Sequence, residues 1–119
     1  MQTFEYVRAK SAQEVVKLLA GAEGEALPLA GGTDLISLMK DGVATPKRLV
    51  SLQHVSEFKG ISFRGESGLR LGAAVTLEEL IESAQVREHY PALVQAAEGV
   101  SSPQVRSTGT VGGDLCQRP

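Results

Sequence analysis

The sequence predicts an α+β fold made of two small lobes. Residues 1–55 alternate strand and helix signals in the manner of a parallel βαβ unit. From residue 56 the pattern changes to an alternating hairpin followed by capped helices. The expected domains are therefore residues 1–55 and residues 56–119, and no Pro- or Ser-rich linker separates them.

Composition places the chain among ordinary globular proteins. Of its 119 residues 42% are hydrophobic and 22% charged, and the formal net charge is −2. This balance argues against disorder and provides no positive field for nucleic acid. No apolar run approaches the ~18 residues of a membrane span, and no secretion signal is recognised at the N-terminus. Cys116 is the only cysteine, which excludes an internal disulfide and, together with the absent signal, predicts a cytoplasmic protein.

Local signals define the elements of the first lobe. The segment "TFEYVRA" alternates and predicts a short strand. Ser11, with Glu14 three residues later, has the capping-box pattern of a helix of about ten residues, which Gly21 ends. The segment "EALPL" predicts a second strand, and Thr33 or Asp34 is expected to cap the next helix. A buried strand, "KRLVSL", completes the pattern.

The second lobe opens with a predicted antiparallel hairpin around the turn "GESG". Thr76 and Glu79 form a second capping-box pattern before an apolar helix. Pro91 begins another helix and Gly99 ends it. The apolar side of this helix is predicted to hold Leu93, Val94 and Ala97. The tail "SSPQVRSTGTVGGDL" is rich in small residues and is predicted to be a shaped loop with a short strand at its end.

Two glycine-rich segments are the candidate functional sites. In "AGGTD", glycines followed by a helix N-terminus could form a nest of N–H groups for a phosphate. Taken alone, this segment favours a strand-to-helix turn that merely needs glycine, because such turns are common. The second segment, "STGTVGGDL", adds glycines and hydroxyls, and "LGAAVT" is a third small-residue site. Together they favour an extended ligand such as a dinucleotide, which needs many backbone donors.

Other chemistries find little support. The P-loop pattern and G-x-G-x-x-G are both absent. His54 and His89 lie in no metal-ligand spacing, and Cys116 is expected to be a small packing residue. Arg106 could bind a phosphate or form a local salt bridge, and the sequence leaves both open. Without a catalytic triad or dyad, any redox chemistry must come from a bound cofactor.

Three longer segments resemble a known family in order and spacing. These are "LAGGTDLISLMK", "LRLGAAVTLEELIES" and "YPALVQAAEGVSSPQVRSTGTVGGDL". They are similar to the FAD-binding subunit, or medium chain, of molybdenum hydroxylases, the family of xanthine dehydrogenase, carbon monoxide dehydrogenase and aldehyde oxidoreductases. The resemblance runs from about residue 4 onward. Because the family continues past the segment "GGDLCQRP", the chain is expected to be its N-terminal portion only.

The resemblance implies a two-lobed FAD-binding domain of the vanillyl-alcohol-oxidase type. Residues 1–55 would be the first FAD-binding lobe, and residues 56–119 part of the second. Asp114 departs from the family, which often has Asn there. The implied cofactor-binding residues are Leu29, Ala30, Gly31, Gly32, Thr33, Asp34, Leu35, Gly72, Ala73, Val100, Gly109, Thr110, Gly112, Gly113 and Asp114. Gly32→Val and Gly112→Val are therefore each expected to abolish flavin retention in the complete subunit with a modest loss of folding.

The function implied is that of an oxidoreductase subunit. FAD on this chain would pass electrons from iron–sulfur clusters to an acceptor. The partners would be a large subunit with molybdopterin, which oxidises the substrate, and a small subunit with two-iron clusters. Nucleic acid and membrane spans are not expected. Two alternatives remain: a degenerate module of this fold that binds no functional flavin, and a nucleotide-phosphate binder unrelated to flavin.

Overall fold

The computed structural model describes residues 1–118, which fall into two compact units. The first unit is Met1–Phe58, and the second begins at Lys59. Each unit combines helices with strands, which confirms the predicted mixed character of the fold.

The first unit is a three-stranded parallel sheet with two connecting helices. Strand β3 lies between β1 and β2 and is parallel to both. Leu49 of β3 is level with Tyr6 of β1 and with Leu27 of β2. The predicted parallel unit is confirmed. Its elements are β1 (Glu5–Arg8), α1 (Ala12–Leu19), β2 (Ala26–Leu29), α2 (Leu35–Lys40) and β3 (Arg48–Ser51).

The core of the first unit gathers around the central strand. Leu49, Val50 and Ser51 are almost fully buried because neighbouring strands cover both edges of β3. Val15 of α1 and Val55 pack on Val50 in one cluster. Leu49, Val50 and Ser51 are consecutive and all buried, as expected for a strand covered on both faces.

In this unit the predicted Ser11 cap of α1 is confirmed, but its reciprocal capping box does not close, and the predicted side-chain cap of α2 is wrong. Ser11 Oγ accepts from the Glu14 N–H at 3.1 Å, but Glu14 Oε2 accepts from the Lys10 N–H instead of closing the box on Ser11. At the start of α2, neither expected side chain caps the helix. Asp34 occupies the N-cap position of α2, but its backbone is already helical (φ −100°, ψ −49°). A capping side chain needs the extended backbone that Ser11 has (φ −145°, ψ 159°).

The second unit is an antiparallel hairpin followed by five short helices. The hairpin matches the prediction, with Ile61 opposite Leu71 and Arg64 opposite Gly68. Val94 and Ala97 of the fifth helix in the chain, α5, join the core, whereas Leu93 is 39% exposed and lies off that stripe. The elements are β4 (Ile61–Arg64), β5 (Gly68–Leu71), α3 (Leu77–Glu82), α4 (Ala84–His89), α5 (Pro91–Glu98), α6 (Pro103–Thr108) and α7 (Val111–Leu115).

The structure differs most from the sequence prediction in the tail "SSPQVRSTGTVGGDL". The expected loop is two short helices, α6 and α7, and the expected strand is a single bridge between Thr76 and Thr110. Each helix is started by a side-chain cap. Ser102 Oγ accepts from the Val105 N–H at 3.3 Å, and Thr110 Oγ1 accepts from the Gly113 N–H at 3.1 Å. Local capping therefore outweighs the low helix propensity of glycine here.

The predicted capping box of α3 is confirmed and gives a test of stability. Thr76 Oγ1 accepts from the Glu79 N–H, and Glu79 Oε2 accepts from the Thr76 N–H at 2.9 Å. Glu79→Ala is expected to lower the free energy of unfolding by about 1 kcal/mol, because the Thr76 N–H loses a charged acceptor. Glu78→Ala is the matched control, since Glu78 is an exposed neighbour on the same helix. Urea unfolding measures both, and equal midpoints would contradict the assignment.

Candidate functional site

The first glycine loop, residues 29–35, leaves the sheet at the carboxyl end of β2. Leu29 is the last residue of β2, and its carbonyl oxygen accepts from the Leu52 N–H at 2.9 Å. Gly32 has a φ of +76°, a conformation that residues with a side chain rarely adopt. The loop therefore turns sharply just beyond the strand, at the edge of a parallel sheet where ligands commonly bind.

Backbone donors in the first glycine loop are largely uncommitted. The Gly32 carbonyl oxygen accepts from the Ile36 N–H at 3.1 Å. Within residues 1–118, however, the N–H groups of residues 31–35 donate to no protein acceptor. Five consecutive N–H groups are thus left for water or for a ligand. Since N–H groups carry positive partial charge, such a run is suited to an anionic ligand.

Gly32 is required by the conformation of the loop itself. A Cβ atom there would lie 3.1 Å from Ile36 Cγ1 and 3.3 Å from Leu29 Cδ1, in addition to the positive φ. The modest loss of folding predicted for Gly32→Val therefore has a cause in the loop itself, apart from any ligand. Strain in the loop accompanies any side chain at this position.

In the second unit, the structure brings two predicted segments together. These are residues 72–77 and residues 109–113, which we call the paired segments. The Gly112 N–H donates to the Ala73 carbonyl at 2.9 Å, and the Val111 N–H donates to the Val75 carbonyl at 2.9 Å. Hydrogen bonds across this pairing fix Gly72 and Ala73 beside the glycines of the tail. Sequence reasoning missed residues 75–77 as partners in this pairing, although "LGAAVT" is visibly rich in small residues.

Internal packing explains the glycines of the paired segments. A Cβ on Gly112 would lie 2.8 Å from the Ala73 carbonyl oxygen, and one on Gly109 would lie 2.8 Å from the Val105 carbonyl oxygen. A Cβ on Gly113 would lie 3.0 Å from Thr110 Oγ1. Protein atoms, not only a ligand, therefore occupy the space that these glycines leave. Gly112→Val is therefore expected to disturb the packing of the paired segments as well as any contact with a ligand.

The remaining predicted residues of the second unit differ in exposure. Val100 is half-buried against the core, and its N–H donates to the Ala97 carbonyl. Thr110 is 6% exposed. Ala73, Gly113 and Asp114 are exposed. Among the predicted residues of this unit, these last three are the ones that solvent or a ligand reaches most readily.

Within residues 1–118, Glu25 is the group whose pKa is clearly shifted, and it lies outside the glycine loops. The Lys47 ammonium lies 2.6 Å from Glu25 Oε1 and lowers the pKa of that carboxyl by hydrogen bonding and charge. Glu25 precedes β2, whereas the first glycine loop follows it, so this pair lies at the opposite end of the strand. Both side chains are exposed, and the pair contributes little to stability.

The two histidines and the cysteine are exposed. His54 is exposed, and His89 stacks on Phe63 with ring centroids 3.8 Å apart. Cys116 is exposed, so the expectation that it packs in the interior is wrong. Over residues 1–118, no three His, Cys, Asp or Glu side chains are grouped as a metal site. In the same stretch, every helix is too short or too polar to cross a bilayer.

Comparison with known families gives the class of the protein. The family model described as "FAD binding domain in molybdopterin dehydrogenase" matches residues 2–119. The chain therefore belongs to this family, in agreement with the resemblance carried by its glycine segments.

Individual relatives agree with the family model. It is 39% identical over 112 residues to the carbon monoxide dehydrogenase medium chain of Hydrogenophaga pseudoflava, covering 94% of this chain and 39% of that relative. It is 34% identical over 111 residues to the xanthine dehydrogenase FAD-binding subunit of Escherichia coli O157:H7, covering 93% and 38%. The chain thus spans about two fifths of the length of these relatives.

A solved structure supports the same placement. Carbon monoxide dehydrogenase from Hydrogenophaga pseudoflava, in a form lacking the Mo-pyranopterin moiety of its cofactor, superposes with a TM-score of 0.91 at 38% identity. The superposition covers 96% of this chain and 39% of that one.

Proposed function

We propose that this chain forms the FAD-binding part of an electron-transfer subunit in a molybdopterin-containing dehydrogenase. The observation that carries the proposal is family membership across residues 2–119. The run of five uncommitted N–H groups in the first glycine loop supports it, since FAD contains a pyrophosphate. When bound, FAD would supply the redox chemistry, taking electrons from iron–sulfur clusters and passing them to an acceptor.

The residues that would hold FAD are those predicted from the sequence. The first glycine loop, residues 29–35, would bind the pyrophosphate through its backbone donors. In the paired segments, the exposed atoms of Ala73, Gly113 and Asp114 would face the cofactor, while Gly72, Gly109, Thr110 and Gly112 hold the pairing in shape. Val100 would contribute from the core side. The two units would be the first FAD-binding lobe and part of the second, in a domain of the vanillyl-alcohol-oxidase type.

The partners in this proposal are a large subunit with molybdopterin and a small subunit with two-iron clusters, all in the cytoplasm. Support comes from relatives described as medium chains or FAD-binding subunits of dehydrogenases for carbon monoxide and xanthine. Substrate oxidation would take place on the large subunit, and this chain would position FAD.

Visible absorbance of the purified protein tests the proposal. The protein as the cell makes it is expected to carry FAD in a 1:1 ratio, with the absorbance of an oxidised flavin near its visible maximum. The flavin released by heating identifies the cofactor by its mobility in chromatography. A folded, colourless protein that takes up no added FAD would instead support the degenerate module. A protein that retains ATP or NAD would support the nucleotide-phosphate binder.

A further inference from the structure

A tight turn after strand β3, residues 52–55, lies beside the first glycine loop, and we call it the β3 turn. Strands β2 and β3 are neighbours in the sheet, and just beyond their paired residues the Leu52 N–H donates to the Leu29 carbonyl at 2.9 Å. The Val55 N–H donates to the Leu52 carbonyl at 3.2 Å, which closes the turn with Gln53 and His54 at its tip. The β3 turn and the first glycine loop are therefore adjacent at the carboxyl edge of the same sheet.

These two connections leave the sheet on opposite faces. After β3 the chain passes to the face of α1, since Val55 shares a core cluster with Val50 and with that helix. Leu29 is level with Ser51, so its side chain points to the face opposite to Val50, and Ile36 of α2 lies near it. A crevice is therefore expected between the first glycine loop and the β3 turn, at the kind of position where open α/β sheets bind ligands.

His54 is the residue of the β3 turn with uncommitted donors in both backbone and side chain. Within residues 1–118 its N–H donates to no protein acceptor. In the same stretch its exposed side chain takes part in no hydrogen bond or salt bridge. Gln53 differs, because its N–H donates to Ser51 Oγ at 3.5 Å. The other histidine, His89, has its ring stacked on Phe63.

We propose that His54 binds the pyrophosphate of FAD from the side of the crevice opposite the first glycine loop. An imidazole donates one N–H when neutral and two when protonated, and either form can donate to a phosphate oxygen. Because a pyrophosphate carries oxygens on two phosphorus atoms, donors from two directions can bind it at once. The five N–H groups of the first glycine loop would donate from one side and His54 from the other. This inference rests on the proposed FAD function and adds a side chain from outside the residues assigned above.

Titration of FAD into the apoprotein, in the chain as the cell makes it, tests the proposal by calorimetry. His54→Ala is expected to weaken FAD binding roughly 10-fold, the lower end of the range for losing a hydrogen bond to a charged group. Gln53→Ala is the matched control, since Gln53 is exposed at the tip of the same turn, and its affinity is expected to be unchanged. Equal weakening in the two variants would assign the effect to the shape of the turn and overturn the proposal.

Phosphorus NMR of the bound cofactor separates a pyrophosphate contact from an indirect effect. At saturating FAD, His54→Ala is expected to shift the resonances of the two phosphorus atoms, whereas Gln53→Ala leaves them in place. Thermal melting of the apoprotein is expected to be unchanged in His54→Ala, because the exposed side chain has no protein partner to lose. Unshifted phosphorus resonances, or a lowered melting temperature, would each overturn the proposal.

FAD binding by the unmodified protein separates this inference from the proposed function. If the unmodified protein binds no FAD, the proposed function fails and this inference fails with it. If the unmodified protein and His54→Ala bind FAD equally, the proposed function stands and only this inference is overturned.

Discussion

Gly112→Ala is expected to lower the free energy of unfolding of the second unit by about 2 kcal/mol, within the range for forcing an extra methyl group into packed surroundings. The added Cβ would lie 2.8 Å from the Ala73 carbonyl oxygen and 2.9 Å from Ala73 Cβ. Either the Gly112 N–H loses its bond to that carbonyl, or the paired segments separate. Both changes remove the contact that holds residues 109–113 beside residues 72–77.

Gly65→Ala is the matched control for this substitution. Gly65 lies in the hairpin turn of the same unit, has no positive φ and has open space around a built Cβ. Its replacement is expected to leave stability within about 0.5 kcal/mol of the unmodified protein. Urea unfolding followed by circular dichroism compares the two. If Gly112→Ala is as stable as Gly65→Ala, the close approach of Gly112 to Ala73 is not present in solution.

Flavin binding by Gly112→Ala gives a second readout. If the paired segments form one side of the FAD site, their separation is expected to weaken FAD binding at least about 10-fold, a loss of 1.4 kcal/mol. Retention of full affinity in a destabilised Gly112→Ala protein would show that the pairing serves folding alone. Gly112→Ala thus separates a role of this glycine in folding from a role in FAD binding. The sequence pattern alone indicates only ligand binding.

Elements set by short-range signals were predictable from the sequence. Thr76 and Glu79 are three residues apart, and their reciprocal cap follows from that spacing. The hairpin turn between Arg64 and Gly68 and the helix begun by Pro91 depend equally on adjacent residues. Such signals need no knowledge of the rest of the fold.

Sequence-based predictions were wrong where the backbone conformation, or a contact with a residue distant in sequence, overrode the local pattern. Asp34 has a capping side chain, but its helical φ and ψ prevent the cap. Ser102 and Thr110 cap short helices that composition alone disfavours. The contact of Gly112 with Ala73 joins residues nearly forty apart, and nothing in either segment encodes the distance between their atoms. The glycines were therefore recognised as unusual, but the reason for them was not.

The first glycine loop allows the proposed cofactor site to be tested with less effect on packing. Gly32→Ala is expected to cost about 1–2 kcal/mol of stability, because alanine is strained at a φ of +76°. Gly42→Ala is the matched control, since Gly42 has a φ of +72° and no heavy atom within 4 Å of a built Cβ. Both substitutions impose the same backbone strain within the first unit. Only Gly32→Ala places this strain within the segment whose N–H groups have no protein acceptor.

The two variants share the backbone strain, so the expected difference is mainly in FAD binding, with a smaller difference in stability from the contacts of the residue-32 side chain. A Cβ at residue 32 would press on Ile36 Cγ1 and Leu29 Cδ1, and relief of that contact changes the direction of the neighbouring N–H groups. Since several N–H groups must converge on one anion, even a modest rotation is expected to weaken FAD binding at least about 10-fold. Gly42→Ala is expected to bind FAD normally. Equal FAD affinity in the two variants, measured by calorimetry at matched stability, would remove the first glycine loop from the site, because strain alone would then account for its glycine.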